Sequence, residues 1–287
     1  MSPNVRLMML SLEGLSISDA FGEQFFNPAN HKYLHAQALP PGEWKWTDDT
    51  HMALSIVEML KEEGTIDPDA LIKKFAYRYS KEPWRGYGWG AARLLSKIAE
   101  GGDWRELAPK LFVGGSYGNG AAMRVAPLGA FFNNDMERIV KEARKSAMVT
   151  HAHQEGQAGA IAVALAAGLA AQEQTFKPSV FISIVAEWTQ ESEVKEKLLL
   201  ASKISEDDFD YAVEALGTGQ RVSAQDTVPF CVWVAAHCAN DFEKALWKTV
   251  SAGGDLDTTC AIVGGIVSLS CKKIPTNWLD HREPLEG

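Results

Sequence analysis

The stretch from Ala158 to Ala171, AGAIAVALAAGLAA, is the strongest constraint on how this chain can fold. Its side chains are small on nearly every side, so a helix built from it lets neighbouring backbones approach on all faces and belongs at the centre of a bundle, not on its surface. At about 14 residues it is too short for a membrane span, which needs roughly 20, and no membrane association is expected. The N-terminal apolar patch is soon broken by Glu13 and lacks a small-residue cleavage site, so it reads as part of the fold.

Helical periodicity dominates elsewhere. In DDTHMALSIVEMLKEEG, Met52, Ile56, Met59 and Leu60 make one stripe, Ser55, Glu58 and Glu62 take the other face, and Gly64 ends the pattern. This predicts an amphipathic helix starting just after Asp49. In IDPDALIKKFAYRYS, Asp67 is the expected cap, Pro68 the first helical residue, and Leu71, Phe75 and Tyr79 the buried stripe. A third pattern, NDFEKALWKTVSAGG, offers Asn240 as cap and Phe242, Leu246 and Val250 as the apolar side. Clear period-two alternation is scarce, and no repeat or Pro/Ser-rich linker marks a boundary. The expectation is a single compact all-α, multi-helix domain over residues 1–287, with its core at about 6–280 and a tail beyond.

Charge narrows the partners. Lysine and arginine total 28 against 37 acidic residues, a net charge of −9, without a basic cluster that could follow a phosphate backbone. Nucleic acid is therefore disfavoured. Cys231, Cys238, Cys260 and Cys271 form no CxxC pair, which favours a reduced, cytoplasmic setting. A monomer or a weak homo-oligomer is expected.

Four polar clusters exceed what a helical bundle needs. Thr47-Asp48-Asp49-Thr50 and Asp255-Leu256-Asp257-Thr258-Thr259 each precede an apolar helix, and each can be read simply as a cap. One cap needs one side-chain oxygen, however, and adjacent carboxylates repel unless a cation lies between them. Four aspartates and several threonine hydroxyls from two helix ends suit hard divalent ions such as magnesium or manganese. The third cluster, Gly114 to Arg124 (GGSYGNGAAMR), is either a flexible turn or a loop whose backbone N–H groups approach a phosphate; it fits neither Walker A nor GxGxxG. The fourth, Thr150-His151-Ala152-His153, offers capping or ligand histidines. Trp84 to Gly90 mixes aromatics with glycine and is either packing or a stacking surface.

Taken in order, GLSISDAFGEQF, WTDDTHMALSI, GSYGNGAAMRVAPLG, THAHQEGQAGAIAVA and AGGDLDTTCAIVGGI resemble the ADP-ribosylglycohydrolase family, which includes dinitrogenase reductase-activating glycohydrolase and the ADP-ribosyl-acceptor hydrolases. The resemblance runs from Gly14 to about Ile266. It implies an all-α fold with a dinuclear metal site at one end, two Mg2+ ions (Mn2+ as the alternative), and cleavage of the glycosidic bond between ADP-ribose and an acceptor. The partner would be an ADP-ribosylated protein or a small ADP-ribosyl conjugate. Carried over by position, Thr47, Asp48, Asp49 and Asp257 would hold one ion, and Asp255, Asp257 and Thr258 the second. Ser116, Tyr117, Gly118, Asn119, Gly120 and Met123 would line the ADP-ribose site, with His151 against the nucleotide. Asp48 and Asp255 would position or deprotonate the attacking water.

Two departures from the family pattern stand out. The usual Gly-Asp of the first motif is Ser18-Asp19, and the glutamate seven residues after that aspartate is Phe26, with Glu23 the nearest acid. The WRGYGWGAARLL stretch lacks the aspartate carried by some arginine-specific members. Two other functions compete: a non-catalytic ADP-ribose-binding or crystallin-like relative, and a metal-dependent hydrolase of another phosphorylated or nucleoside substrate.

Overall fold

The small-residue helix lies at the centre. In the computed structural model, which describes residues 2–285, it spans Gln154–Ala170, and every residue from Ala158 to Ala170 is buried. In chain order the helices are α1 (Pro3–Glu23), α2 (His31–Ala36), α3 (Asp48–Glu63), α4 (Pro68–Lys81), α5 (Trp89–Ala99), α6 (Trp104–Leu107), α7 (Ala126–Phe131) and α8 (Met136–Met148). They continue with α9, the central helix, then α10 (Pro178–Trp188), α11 (Glu193–Ala201), α12 (Phe209–Leu216), α13 (Ala224–His237), α14 (Phe242–Ser251), α15 (Leu256–Cys271) and α16 (Thr276–Leu279). Helix α9 packs against α7, α8, α10, α13 and α15. Among the described residues there is no strand, only two isolated bridges, Trp44 with Arg282 and Gly118 with Ser223. No helix is long and apolar enough to cross a membrane among these residues.

The contact that positions the site is between α1 and α15. Two glycines let these helices nearly touch: a Cβ on Gly264 would stand 1.8 Å from Ser18 Oγ, and one on Gly22 would stand 2.3 Å from the Leu256 carbonyl oxygen. No side chain fits at either place. The close approach sets Asp19, fully buried on α1, beside the start of α15.

Local caps follow the sequence with corrections. Helix α3 begins at Asp48, earlier than expected, because Thr47 is the cap and its Oγ1 accepts from Asp49 N–H. Its first half is buried all round, Ser55 included, since α1, α4 and α7 cover it. Asp67 caps α4 as expected, whereas α14 is capped by Asp241, whose Oδ1 accepts from Lys244 N–H, and not by Asn240.

The stretch expected as a tail beyond about residue 280 is pinned down as far as it is described. Trp44 N–H donates to the His281 carbonyl, Glu283 N–H donates to the Trp44 carbonyl, and Glu283 Oε1 accepts from Trp46 N–H. Arg85 pairs with the same carboxylate and lies over the Trp46 ring, 3.4 Å from its centroid. These contacts fix residues 44–46 and so the entry into α3.

Candidate active site

At the N-terminal ends of α3 and α15 most of the acids do no capping. Thr47 does the capping at α3, and Asp255, in the cap position of α15, makes no side-chain capping hydrogen bond. The simple capping reading therefore leaves Asp48, Asp49, Asp255 and Asp257 unexplained. Carboxylate oxygens of Asp19, Asp49 and Asp257 all lie within 4.8 Å of one another. Asp49 Oδ1 is buried with no hydrogen-bond partner, and Asp49 Oδ2 lies 3.1 Å from Thr47 Oγ1 and 3.5 Å from Thr258 Oγ1. Asp257 Oδ1 accepts from Thr258 N–H.

Asp19 belongs to this cluster although the sequence assignment left it out. Its carboxylate accepts from the backbone N–H and hydroxyl groups of both Thr47 and Thr50, so one helix orients the first turn of another. The available signal was an acid inside an otherwise apolar helix, a costly placement unless the group is used.

Burial dominates the electrostatics. It pushes Asp48 up to about 8, with the charge of Asp19 adding to it, and Asp19 up to about 6 despite its hydrogen bonds from Thr50 and Thr47. Burial, then the charge of Asp257, holds Asp49 well above the usual carboxylate range; Asp257 is raised likewise by burial and then by Asp255. Without a cation this cluster resists full ionisation. A buried, unpartnered carboxylate oxygen beside two further acids and two hydroxyls fits a hard divalent ion.

Asp48, Asp49, Asp255 and Asp257 form one wall of a cavity of about 530 Å³, a size usual for small-molecule sites. The structure brings Asp48, Asp49, Asp255, Asp257 and Thr258 to this cavity together with Ser116, Tyr117, Gly118, Asn119, Gly120, Met123 and His151. Thr47 stands behind the wall, bonded to Asp19 and Asp49. The glycine loop and the acids are directly joined: Asn119 Nδ2 donates to Asp255 Oδ2 at 2.7 Å and to Thr227 Oγ1 at 3.1 Å. Asn119 therefore orients Asp255 as well as lining the pocket. Val222, at the rim, holds a left-handed backbone (φ 52°), rare for a β-branched residue, and its carbonyl accepts from Asn119 N–H.

The two histidines divide. His153 caps α9, its Nδ1 accepting from Glu155 N–H, while His151 is buried against the glycine loop. Burial, then the nearby Arg124 charge, lowers His151 to about 3, so its imidazole is neutral. Arg124 is itself fully buried beside the cavity, a second residue that sequence reasoning left without a role. Gly86, Gly88, Trp89 and Gly90 form the outer wall; Trp84 lies outside it, and Tyr87 Oη pairs with His51 Nδ1. Phe26 is half exposed on a turn after α1. Glu23, raised to about 7 by burial and by the charges of Asp19 and Asp255, faces the cluster without lining the cavity among the described residues.

The chain's sequence matches the ADP-ribosylglycohydrolase family over residues 8–286. The chain belongs to this family of enzymes. It is 32% identical to an uncharacterized protein of Archaeoglobus fulgidus over 96% of this chain and 88% of that one. Against human ADP-ribosylhydrolase ARH3 the identity is 29%, covering 84% of this chain and 75% of the relative. ADP-ribosylarginine hydrolase Tri1 of Serratia proteamaculans is 26% identical, over 94% and 73%. A solved structure described as an ADP-ribosylglycohydrolase-related protein complex shares the fold, with a TM-score of 0.62 at 24% identity over 99% of this chain and 94% of that one.

Proposed function

We propose that this chain is a divalent-cation-dependent hydrolase that cleaves the glycosidic bond between ADP-ribose and the acceptor of an ADP-ribosylated protein or small conjugate. The observation that carries the reading is the pairing of an acid cluster, with its unpartnered Asp49 Oδ1, and a glycine loop backed by a neutral histidine across one cavity. Asp19, Asp49 and Asp257 would hold one ion, with Thr47 and Asp48 at its edge. Asp255, Asp257 and Thr258 would hold the second, and Mg2+ is the preferred ion, with Mn2+ as the alternative. Such ions act as Lewis acids on ribose hydroxyls and on water.

The chain's own residues supply the rest. Gly118 and Gly120 leave the loop backbone open to a pyrophosphate, with Arg124 and Arg221 also on the cavity wall. Asp255, held by Asn119, and Asp48 are the groups that orient water at the anomeric carbon and take its proton. The outer wall of Gly86, Gly88 and Trp89 carries no acid, so the acceptor is received by shape and an aromatic face instead of by a carboxylate directed at a guanidinium.

A binding-only or crystallin-like relative would have no use for Asp48, Asp49 and Asp257, three buried or half-buried carboxylates that resist ionisation in the metal-free fold. The test is release of free ADP-ribose from serine-linked and arginine-linked peptides, with magnesium or with chelator. Release should require the cation and disappear in Asp255→Asn. Turnover in chelator, or full activity of that variant, contradicts the proposal.

A further inference from the structure

Arg124 is a fully buried cation whose hydrogen bonds all go to neutral groups. Its Nη2 donates to the Ser146 carbonyl and to Thr150 Oγ1, each at 2.9 Å, and Nη1 approaches Met52 Sδ. The guanidinium also stacks on Phe75, 4.4 Å from the ring centroid. Thr150 Oγ1 in turn lies 2.8 Å from His151 Nδ1. These three residues form a chain that starts in the core and ends at the glycine loop.

The direction of the chain follows from proton counting. Arginine can only donate, so Thr150 Oγ1 accepts there. The single hydroxyl proton of Thr150 then has two acceptors within reach, His151 Nδ1 at 2.8 Å and the Ala147 carbonyl at 3.4 Å. The reverse arrangement, Nδ1–H donating to Thr150 Oγ1, would leave that proton only the 3.4 Å contact to Ala147, so it belongs to the shorter contact; Nδ1 then accepts, and the neutral imidazole carries its proton on Nε2. That nitrogen points under the loop: it lies 3.4 Å from where a Cβ on Gly118 would stand, and equally 3.4 Å from one on Gly120.

We propose that Thr150, polarised by Arg124, is a positioning residue that locks His151 as a neutral Nε2–H donor aimed at an acceptor oxygen of the ligand lying over the Gly118–Gly120 loop. The inference rests on the reading of this cavity as the ADP-ribose site, and it assigns the oxygen to the nucleoside diphosphate part of that ligand. Arg124, buried at the cavity wall, thus also contributes its positive charge through a hydroxyl and an imidazole. This gives an acidic protein an anion contact that does not depend on protonating a histidine.

The tautomer can be read directly. In a long-range proton–nitrogen correlation spectrum of histidine-labelled protein, with the His151 signals assigned by their loss in His151→Gln, the wild type should show Nε2 protonated and Nδ1 bare. Thr150→Val keeps the shape and removes the hydroxyl; it should abolish this single tautomer and weaken ADP-ribose binding about tenfold, the effect of one lost hydrogen bond. Thr150→Ser should restore both. A wild-type His151 protonated on Nδ1, or a valine variant that keeps both tautomer and affinity, overturns the relay. A wild type with the expected tautomer but no affinity for ADP-ribose overturns the ligand assignment and the proposed function while leaving the relay itself standing. If the valine variant fails to fold, the wild-type tautomer and the serine variant still decide.

Discussion

Replacing Asp48 by asparagine should stabilise the metal-free protein at pH 8 and remove most of its response to magnesium. Asp48 is only 7% exposed, and burial with the neighbouring Asp19 charge raises its carboxyl from 3.8 to about 8. That shift of about four pH units, at 1.36 kcal/mol each, makes an ionised Asp48 cost the metal-free fold on the order of 5 kcal/mol. Because the folded carboxyl keeps a proton that the unfolded chain has already lost, the contribution of Asp48 to stability is full below about pH 4 and is lost as pH rises toward 8. Asparagine has no proton to lose, so the variant should decline less steeply and exceed the wild type at pH 8 by a few kcal/mol. An ion that binds only the folded state at a hundredfold excess over its dissociation constant returns about 2.7 kcal/mol to the wild type, and much less to the variant. Urea denaturation at pH 5 and pH 8, in chelator and in magnesium, measures all four quantities. An asparagine variant whose advantage over wild type in chelator does not grow from pH 5 to pH 8, or one less stable than wild type at pH 8 in chelator, contradicts this assignment.

Further substitutions separate the parts of the site. Asp19→Asn removes an acceptor that ties Thr47 and Thr50 to α1, and should lower both stability, by about 1–3 kcal/mol in denaturant titrations, and magnesium affinity by calorimetry. Gly22→Ala places a methyl 2.3 Å from the Leu256 carbonyl oxygen and should cost about 1–3 kcal/mol by pushing α1 off α15, with loss of magnesium binding as the readout. Asn119→Leu frees Asp255 and should lower kcat about 10–100-fold in a steady-state assay, the usual effect of releasing a group that orients a metal-site ligand.

Helix content, the buried centre and the glycine loop were legible in the sequence because each rests on local pattern: small residues at Ala158–Ala170, stripes at Met52, Ile56 and Leu60, and glycines at 114, 115, 118 and 120. The pairing of Asp48 and Asp49 with Asp255 and Asp257 was legible for a different reason, since each cluster holds more carboxylate than a helix cap can use. What stayed hidden depends on which helices touch. Asp19 looks like an isolated acid until Gly22 and Gly264 let α1 close on α15, and Arg124 looks like one more loop cation until its partners Ser146 and Thr150 arrive from α8 and the turn beyond it. The segment beyond residue 280 has no periodicity to read, and its order comes from Trp44, Trp46 and Arg85, distant in sequence. Cap positions moved by one or two residues, as at Thr47 and Asp241, because several adjacent residues can serve and tertiary contacts choose among them.

The most direct test of the central claim is single-turnover release of ADP-ribose from a serine-linked and an arginine-linked ADP-ribosyl peptide by the wild-type protein, after chelation and again after magnesium is restored. No release is expected in chelator, recovery is expected with magnesium on at least one linkage, and Asp255→Asn should release none under either condition. Release that is unaffected by chelation, or tight ADP-ribose binding with no turnover of either peptide in magnesium, would contradict it.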